Sequence, residues 1–173
     1  MDEQRPTLLN SSAAAATAAE AAFRIDAPPP PPRSARVIAL DPGASEVIRR
    51  VAEQSWGASH FLSYRPGSPV LTAGGDLPDV VLYGADGSTL RQFSQETDGA
   101  DMVFMVATDD DGANAAAAIG EVCWYRGITT GGVVFGDEAN VRNAVAALRP
   151  HARVLLVTQD EDDVAAVLTA LRA

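Results

Sequence analysis

The chain has 173 residues, a formal net charge of −10 and a pI near 4.5. This length fits one domain with a tail, and the negative charge argues against nucleic acid or an anionic membrane surface as the main partner. All thirteen basic residues are arginines, which excludes a P-loop of the Gly-Lys-Ser/Thr kind and lysine Schiff-base chemistry. The single cysteine, Cys123, excludes a disulfide framework and a cysteine-rich zinc site.

The N-terminal region, residues 1–33, is predicted to be a flexible tail and linker. Ser11–Ala22 is rich in alanine but lacks the large apolar residues with which a helix docks, and Pro28–Pro32 favours a polyproline II spacer. No apolar stretch approaches the roughly 20 residues of a membrane span, and no secretion signal is recognisable. We therefore expect a cytoplasmic protein in which residues 34–173 form a single domain.

Strands and helices are predicted to alternate through this domain. Buried strands are predicted at Arg36–Leu40, His60–Tyr64, Val80–Tyr83, Val103–Ala107, Thr129–Phe135 and Arg153–Val157. Helices are predicted after the first strand with Asp41 or Ser45 as the cap, at Thr89–Glu96, in the alanine-rich run up to Arg126, at Glu138–Leu148 and at Glu161–Leu171. Short, continuously apolar strands between helices are typical of a parallel sheet covered on both faces. The predicted fold class is α/β: a three-layer α/β/α, doubly wound, mostly parallel sheet of about six strands, Rossmann-like, in the order 3-2-1-4-5-6.

The fourth strand and its surroundings resemble a known family. Gly99-Ala-Asp-Met-Val-Phe104, the alanine-rich helix after it and Arg126-Gly-Ile-Thr-Thr-Gly-Gly-Val-Val134 are similar to the core of the tubulin/FtsZ nucleotide-binding domain. In that family a Gly-Gly-Gly-Thr-Gly-Thr-Gly loop follows the strand, whereas Asp110–Asn114 contains one glycine here. The family's acidic catalytic loop, which is supplied in trans, has no counterpart in this sequence. The resemblance therefore implies the fold more than it implies GTP hydrolysis.

The resemblance implies a set of candidate site residues but no catalytic residue. A bound nucleotide would be lined by Asp41, Gly43, Ser45, Thr108, Asp110, Gly112 and Asn114. GTP with Mg²⁺ is the candidate cofactor, and Asp109, Asp110 and Asp111 are the candidate metal ligands because hard cations favour carboxylate oxygens. A helix N-terminus attracts a phosphate by about 0.3–2 kcal/mol. A carboxylate about 5 Å away repels the phosphate by roughly 3 kcal/mol, so binding requires an intervening cation.

Acidic residues follow most of the predicted strands and suggest an acidic edge of the sheet. They are Asp41, Asp86, the Thr108–Asp111 loop, Asp137-Glu138 and Asp160–Asp163. Two interpretations stay open. The edge binds a divalent cation or an electropositive partner, or the acids are helix caps and first-turn charges that stabilise the fold locally.

The sequence favours a non-catalytic or weakly catalytic FtsZ-like binding, regulatory or assembly module. We expect a protein partner or a homo-oligomer, and neither nucleic acid nor a membrane. A divalent-cation-dependent GTP-binding protein is one alternative. An NAD(P)-binding Rossmann enzyme or sensor is another, because Ala107–Asn114 is similar to a phrase of siroheme-synthase dehydrogenase and TrkA-type domains. The Gly-x-Gly-x-x-Gly turn of such domains is missing after the first strand.

The end of the alanine-rich helix carries Cys123, Trp124 and Tyr125. Cys123 is expected to be a buried small side chain rather than a reactive thiol. The two aromatic residues are expected to pack outside the sheet or to form an interface.

Overall fold

The computed structural model describes residues 31–71, 77–137 and 139–173. The predicted tail lies almost wholly outside these residues, so its flexible character remains a prediction. None of the helices among the described residues is long and apolar enough to cross a bilayer.

The described residues contain eight strands and five helices. The strands are β1 (Ala35–Ala39), β2 (His60–Ser63), β3 (Val70–Leu71), β4 (Asp79–Gly84), β5 (Leu90–Gln92), β6 (Met102–Ala107), β7 (Thr129–Phe135) and β8 (Ala152–Thr158). The helices are α1 (Pro42–Val51), α2 (Phe93–Glu96), α3 (Ala113–Arg126), α4 (Arg142–Leu148) and α5 (Asp162–Leu171).

The strands form one mixed, mostly parallel sheet in the order β3-β4-β2-β1-β6-β7-β8, with β5 paired to β4. Strands β2, β1, β6, β7 and β8 are parallel to one another, whereas β4 runs antiparallel to β2. The α/β class, the mostly parallel character of the sheet and the neighbours predicted for the six strands are confirmed. The sheet has eight strands where about six were expected, and the third predicted strand, β4, is antiparallel to its neighbour β2.

The helix predicted at Thr89–Glu96 is a strand in its first half. Gly87 has a φ of +71°, and the Gly84 N–H donates to the Thr89 carbonyl oxygen at 2.8 Å, which closes a tight turn after β4. Leu90–Gln92 then pairs antiparallel with β4 as β5. A turn this short returns the chain beside the preceding strand, where only antiparallel pairing is possible.

The helix predicted at Glu138–Leu148 begins only at Arg142. A turn precedes it, in which the Asn140 N–H donates to the Asp137 carbonyl oxygen at 2.8 Å. The first predicted turn of the helix is therefore part of the β7–α4 connection, and residue 138 lies outside the described residues.

Two hydrophobic clusters hold the fold together, and the central strands contribute to both. Ile38 and Leu40 belong to the first cluster, with residues of α3 and α4, whereas Val37 and Ala39 belong to the second, with residues of α1 and α5. This alternation follows from the two-residue period of a strand. The two clusters therefore draw on different helices. All six residues of β6 are buried.

Candidate functional site

The carboxyl ends of β1 and β6 lie side by side, and Asp41 connects them. Asp41 is fully buried, and its two carboxylate oxygens accept four hydrogen bonds. Oδ1 accepts from the Ala44 N–H at 2.7 Å and from the Thr108 hydroxyl at 2.5 Å. Oδ2 accepts from the N–H of Thr108 at 2.6 Å and from that of Asp109 at 3.3 Å. One side chain therefore holds the start of α1 and the β6–α3 loop together.

These bonds give each residue of the β1–α1 turn a structural role. Of the two predicted caps, Asp41 is the N-cap of α1, with Pro42 in the first turn. The Ser45 hydroxyl instead donates to the Asp41 carbonyl oxygen at 3.0 Å. A Cβ on Gly43 would collide with the Thr108 hydroxyl, so the glycine permits the contact between the two loops.

Gly112 allows a second close approach between the same loops. It is buried directly before α3, and a Cβ there would collide with the backbone carbonyl oxygen of Leu40 at the end of β1. The resemblance implied that this glycine lines a nucleotide. In the structure it brings the start of α3 against β1.

The three consecutive aspartates have three different environments. Asp110 Oδ1 accepts from the Ala144 N–H at 2.8 Å and so caps α4, whose own N-cap residue, Val141, has no polar side chain. Asp109 Oδ1 accepts from the Asp111 N–H at 2.8 Å, and the Asp111 side chain is exposed. Among the described residues, no group of three or more His, Cys, Asp or Glu side chains is arranged to hold a metal ion. The predicted metal ligands thus remain a prediction.

The electrostatics of the loop disfavour further negative charge. Burial raises the pKa of Asp109, and the carboxylates of Asp41, Asp111 and Asp110 raise it further, while the hydrogen bond from the Asp111 N–H lowers it. Adding a phosphate would increase the same repulsion.

Only three of the seven predicted cofactor-binding residues line a groove, and they are divided between two separate grooves. Asp110 and Asn114 line a groove of about 390 Å³ between α3 and α4, together with Asn143. Ser45 lines a groove of about 430 Å³ together with Arg65 and Asp86. Asp41 and Gly112 are buried in the contact between loops.

The acids of this edge divide into an inner and an outer set. Asp41 and Asp110 bond to the backbone, as the helix-cap interpretation predicted. Asp111, Asp137 and Asp160 follow the neighbouring parallel strands β6, β7 and β8, and all three are exposed. We call these three residues the acidic rim.

The aromatic pair near the end of α3, for which the sequence left packing or an interface open, is exposed. Trp124 is 76% exposed and Tyr125 is 70% exposed. Tyr125 lines a cavity of about 620 Å³ that also contains Gln92 and Arg126. The signal was present in the helical spacing, because the buried face of α3 contains Ile119, Val122 and Cys123 and leaves the two aromatic residues outside it.

A comparison with protein-family models and a comparison with curated protein sequences each give no match. The resemblances to the tubulin/FtsZ and NAD-binding domains therefore rest on the quoted phrases of the sequence, and the site is interpreted from its geometry.

Proposed function

We propose that the chain is a non-catalytic protein-binding module with a three-layer, Rossmann-like fold related to the FtsZ/tubulin nucleotide-binding domain. In this proposal the nucleotide site is closed by internal bonds. The acidic rim remains available to an electropositive partner.

The observation that carries the proposal is that N–H groups of the β6–α3 loop already donate hydrogen bonds within the chain. Phosphates bind at helix N-termini because backbone N–H groups are free there. Here the N–H groups of Thr108 and Asp109 donate to Asp41, and that of Asp111 donates to Asp109. The N–H of Ala113 donates to the Asp110 carbonyl oxygen at 3.1 Å. A phosphate bound to these four N–H groups would have to displace the Asp41 and Asp109 carboxylates and the Asp110 carbonyl oxygen.

A titration with GTP, GDP and NAD⁺, each with and without Mg²⁺, tests the closed site. We expect no heat of binding and no change in melting temperature. A ligand that binds only the folded chain, at 100 times its Kd, stabilises it by about 2.7 kcal/mol. For a chain of this size that is a shift of about 5–10 °C. Such a shift with GTP and Mg²⁺ together would instead support the cation-dependent GTP-binding protein, and a shift with NAD⁺ would support the dinucleotide-binding alternative.

The acidic rim is tested with an arginine-rich peptide as the probe. The triple variant Asp111→Asn, Asp137→Asn, Asp160→Asn should weaken peptide binding at least tenfold. The matched control neutralises three exposed acids elsewhere, with Glu53→Gln, Asp98→Asn and Glu121→Gln. Both variants raise the net charge by three, so equal weakening by the two sets would show a non-specific effect of charge and contradict the rim.

A further inference from the structure

The last strand, β8, ends the order of the sheet. It pairs with β7 on one side, and among the described residues no strand pairs with its other side. Its centre, Val154–Val157, consists of four consecutive apolar residues. An open strand edge of this kind is a template for pairing with another strand.

The backbone of β8 shows which residues face this open edge. The Gly136 N–H donates to the Thr158 carbonyl oxygen at 3.2 Å, so the carbonyl of Thr158 points towards β7. Along a parallel strand, the N–H and C=O groups of one residue point to the same side, and those of the next residue point to the opposite side. The N–H and C=O groups of Leu155 and Val157 therefore point away from β7.

The side chains of β8 leave apolar surface on both faces of this edge. Val154 is 42% exposed and Val157 is 47% exposed, and three residues of separation place them on opposite faces. Leu155 and Leu156 are partly buried, each against a different hydrophobic cluster. Native edge strands are usually protected by proline, lysine, an inward-pointing charge or a β-bulge. β8 has an irregularity in its pairing between Ala152 and Val154, but Val154–Val157 itself is regular and contains no proline, lysine or other charge.

The charges at the two ends of β8 point to a second copy of this chain as the occupant. Arg153 is the second residue of the strand, and Asp160 follows its end; both are exposed. Glu161, the next residue, already pairs with Arg50 of the same chain at 2.7 Å. Antiparallel pairing of two copies places the basic start of each strand beside the acidic end of the other, twice. Because the whole chain carries −10, such local complementarity is what allows two copies to associate.

We propose that β8 pairs antiparallel with β8 of a second copy, which extends the sheet through a two-fold symmetric dimer. The outward-facing residues pair with one another in such a dimer, and in the proposed register Leu155 lies opposite Val157 of the second copy. The two-fold axis then passes at Leu156, which faces its own counterpart. This register covers Val157 and brings Arg153, the extra residue at the irregularity of β8, close to Gln159 and Asp160 of the second copy.

The mass of the full chain in solution tests the dimer. Sedimentation equilibrium should give about twice the 18.0 kDa of one chain. Val157→Pro removes an outward N–H that the fold itself does not use, and should raise the dimer dissociation constant at least tenfold with an unchanged circular dichroism spectrum. Val157→Lys should have the same effect if the proline disturbs folding. The control, Leu90→Lys, changes an exposed leucine of β5 and should leave the dimer intact.

Cross-linking tests the register. Directly opposed residues of a non-hydrogen-bonded antiparallel pair have Cα atoms about 4.5 Å apart, which suits a disulfide. Leu156→Cys should therefore give a covalent dimer under mild oxidation, whereas Leu155→Cys should give much less. The native Cys123 is fully buried and should not react.

Three results would overturn the proposal. They are a monomeric full chain at 100 μM, a dimer that both Val157 variants leave unchanged, and preferential cross-linking of Leu155→Cys. None of them bears on nucleotide binding. Asp160 belongs both to the acidic rim and to the β8 contact, whereas Asp111 and Asp137 follow β6 and β7, so this inference and the proposed function still fail separately.

Discussion

Asp41 is a fully buried carboxylate, and no arginine among the described residues forms an ion pair with it. Burial of an isolated charge is unfavourable, but four hydrogen-bond donors compensate it here. The donors come from two loops, so the same carboxylate is an N-cap for α1 and a connection to the β6–α3 loop.

Replacing Asp41 by alanine should lower the free energy of unfolding by about 3 kcal/mol or more. Loss of an N-cap contributes about 1 kcal/mol, and each buried donor left unsatisfied contributes about 1–3 kcal/mol. Urea denaturation measures the change. The control is Asp111→Ala in the same acidic cluster, where an exposed side chain should change stability by less than about 0.5 kcal/mol. Equal effects of the two substitutions would contradict the role assigned to Asp41.

The sequence predicted only half of what Asp41 does. Its capping role was readable because the cap and the start of its helix are adjacent in the chain. Its bonds to Thr108 span 67 residues, and no local pattern encodes them. For the same reason the sequence could place Asp110 at a helix start but could not predict that it caps the next helix along, α4.

A second buried carboxylate, Glu96, lies among three basic side chains. It is 6% exposed, and it accepts hydrogen bonds from Arg91 at 2.9 Å and from His60 at 3.0 Å. The Arg36 guanidinium, which is also buried, lies 3.5 Å away. Burial raises the pKa of Glu96, but the bonds from His60 and Arg91 outweigh it, and the net shift of the pKa is downwards.

The lowered pKa of Glu96 predicts a loss of stability in acid. A carboxyl whose folded pKa is depressed contributes its stabilisation above its unfolded pKa of about 4.3 and loses it as the pH falls through the folded value. Glu96→Gln should cost about 3 kcal/mol at pH 7, because the buried Arg36 loses its counter-charge. The difference from the unmodified chain should shrink below pH 4. Urea denaturation from pH 3 to 7 measures it, with Glu121→Gln as the exposed control; a difference independent of pH would contradict the assignment.

At the scale of elements, the contact between α3 and β1 depends on Gly112, which has no side chain. Gly112→Ala would place a Cβ against the Leu40 carbonyl oxygen, which is backbone and cannot rotate away. Overpacking of this kind typically costs about 1–3 kcal/mol. We expect the loss in urea denaturation, together with faster hydrogen exchange at the start of α3. Gly57→Ala is the control, since the nearest neighbour of the added Cβ would be a Pro32 side-chain atom at 3.3 Å. If Gly112→Ala did not change the free energy of unfolding, α3 and β1 would not be held this closely.

The elements that sequence patterns predicted and those they missed differ in burial. The strands β1, β6 and β7 are buried almost throughout, and their continuous apolar runs made them recognisable. All three residues of β5 are exposed, so Leu90–Gln92 carries no apolar pattern. Its strand conformation comes from the turn and from pairing with β4. The two-residue β3 likewise lies between the predicted strands His60–Tyr64 and Val80–Tyr83, where no strand was predicted.

For the whole molecule, the reactivity of the single cysteine measures how often the folded chain unfolds. Cys123 is fully buried, and burial raises the pKa of its thiol to about 12 despite the opposing charge of Arg126. A thiol reagent at pH 8 should therefore label the native chain at least about a thousandfold more slowly than the chain unfolded in urea, because a typical domain opens that rarely. Rapid labelling of the native chain would contradict the position of Cys123 in the core.

The position of β1 between β2 and β6 also has a consequence for synthesis on the ribosome. Strand β2 follows β1 closely in the chain, but the strand on the other side, β6, is translated much later. The Asp41–Thr108 connection spans 67 residues, and at about 5–20 residues per second this is a delay of roughly 3–13 s. During that time the most buried part of the future sheet presents an unpaired apolar edge. The growing chain therefore depends on the completion of β6 before its first strand is protected.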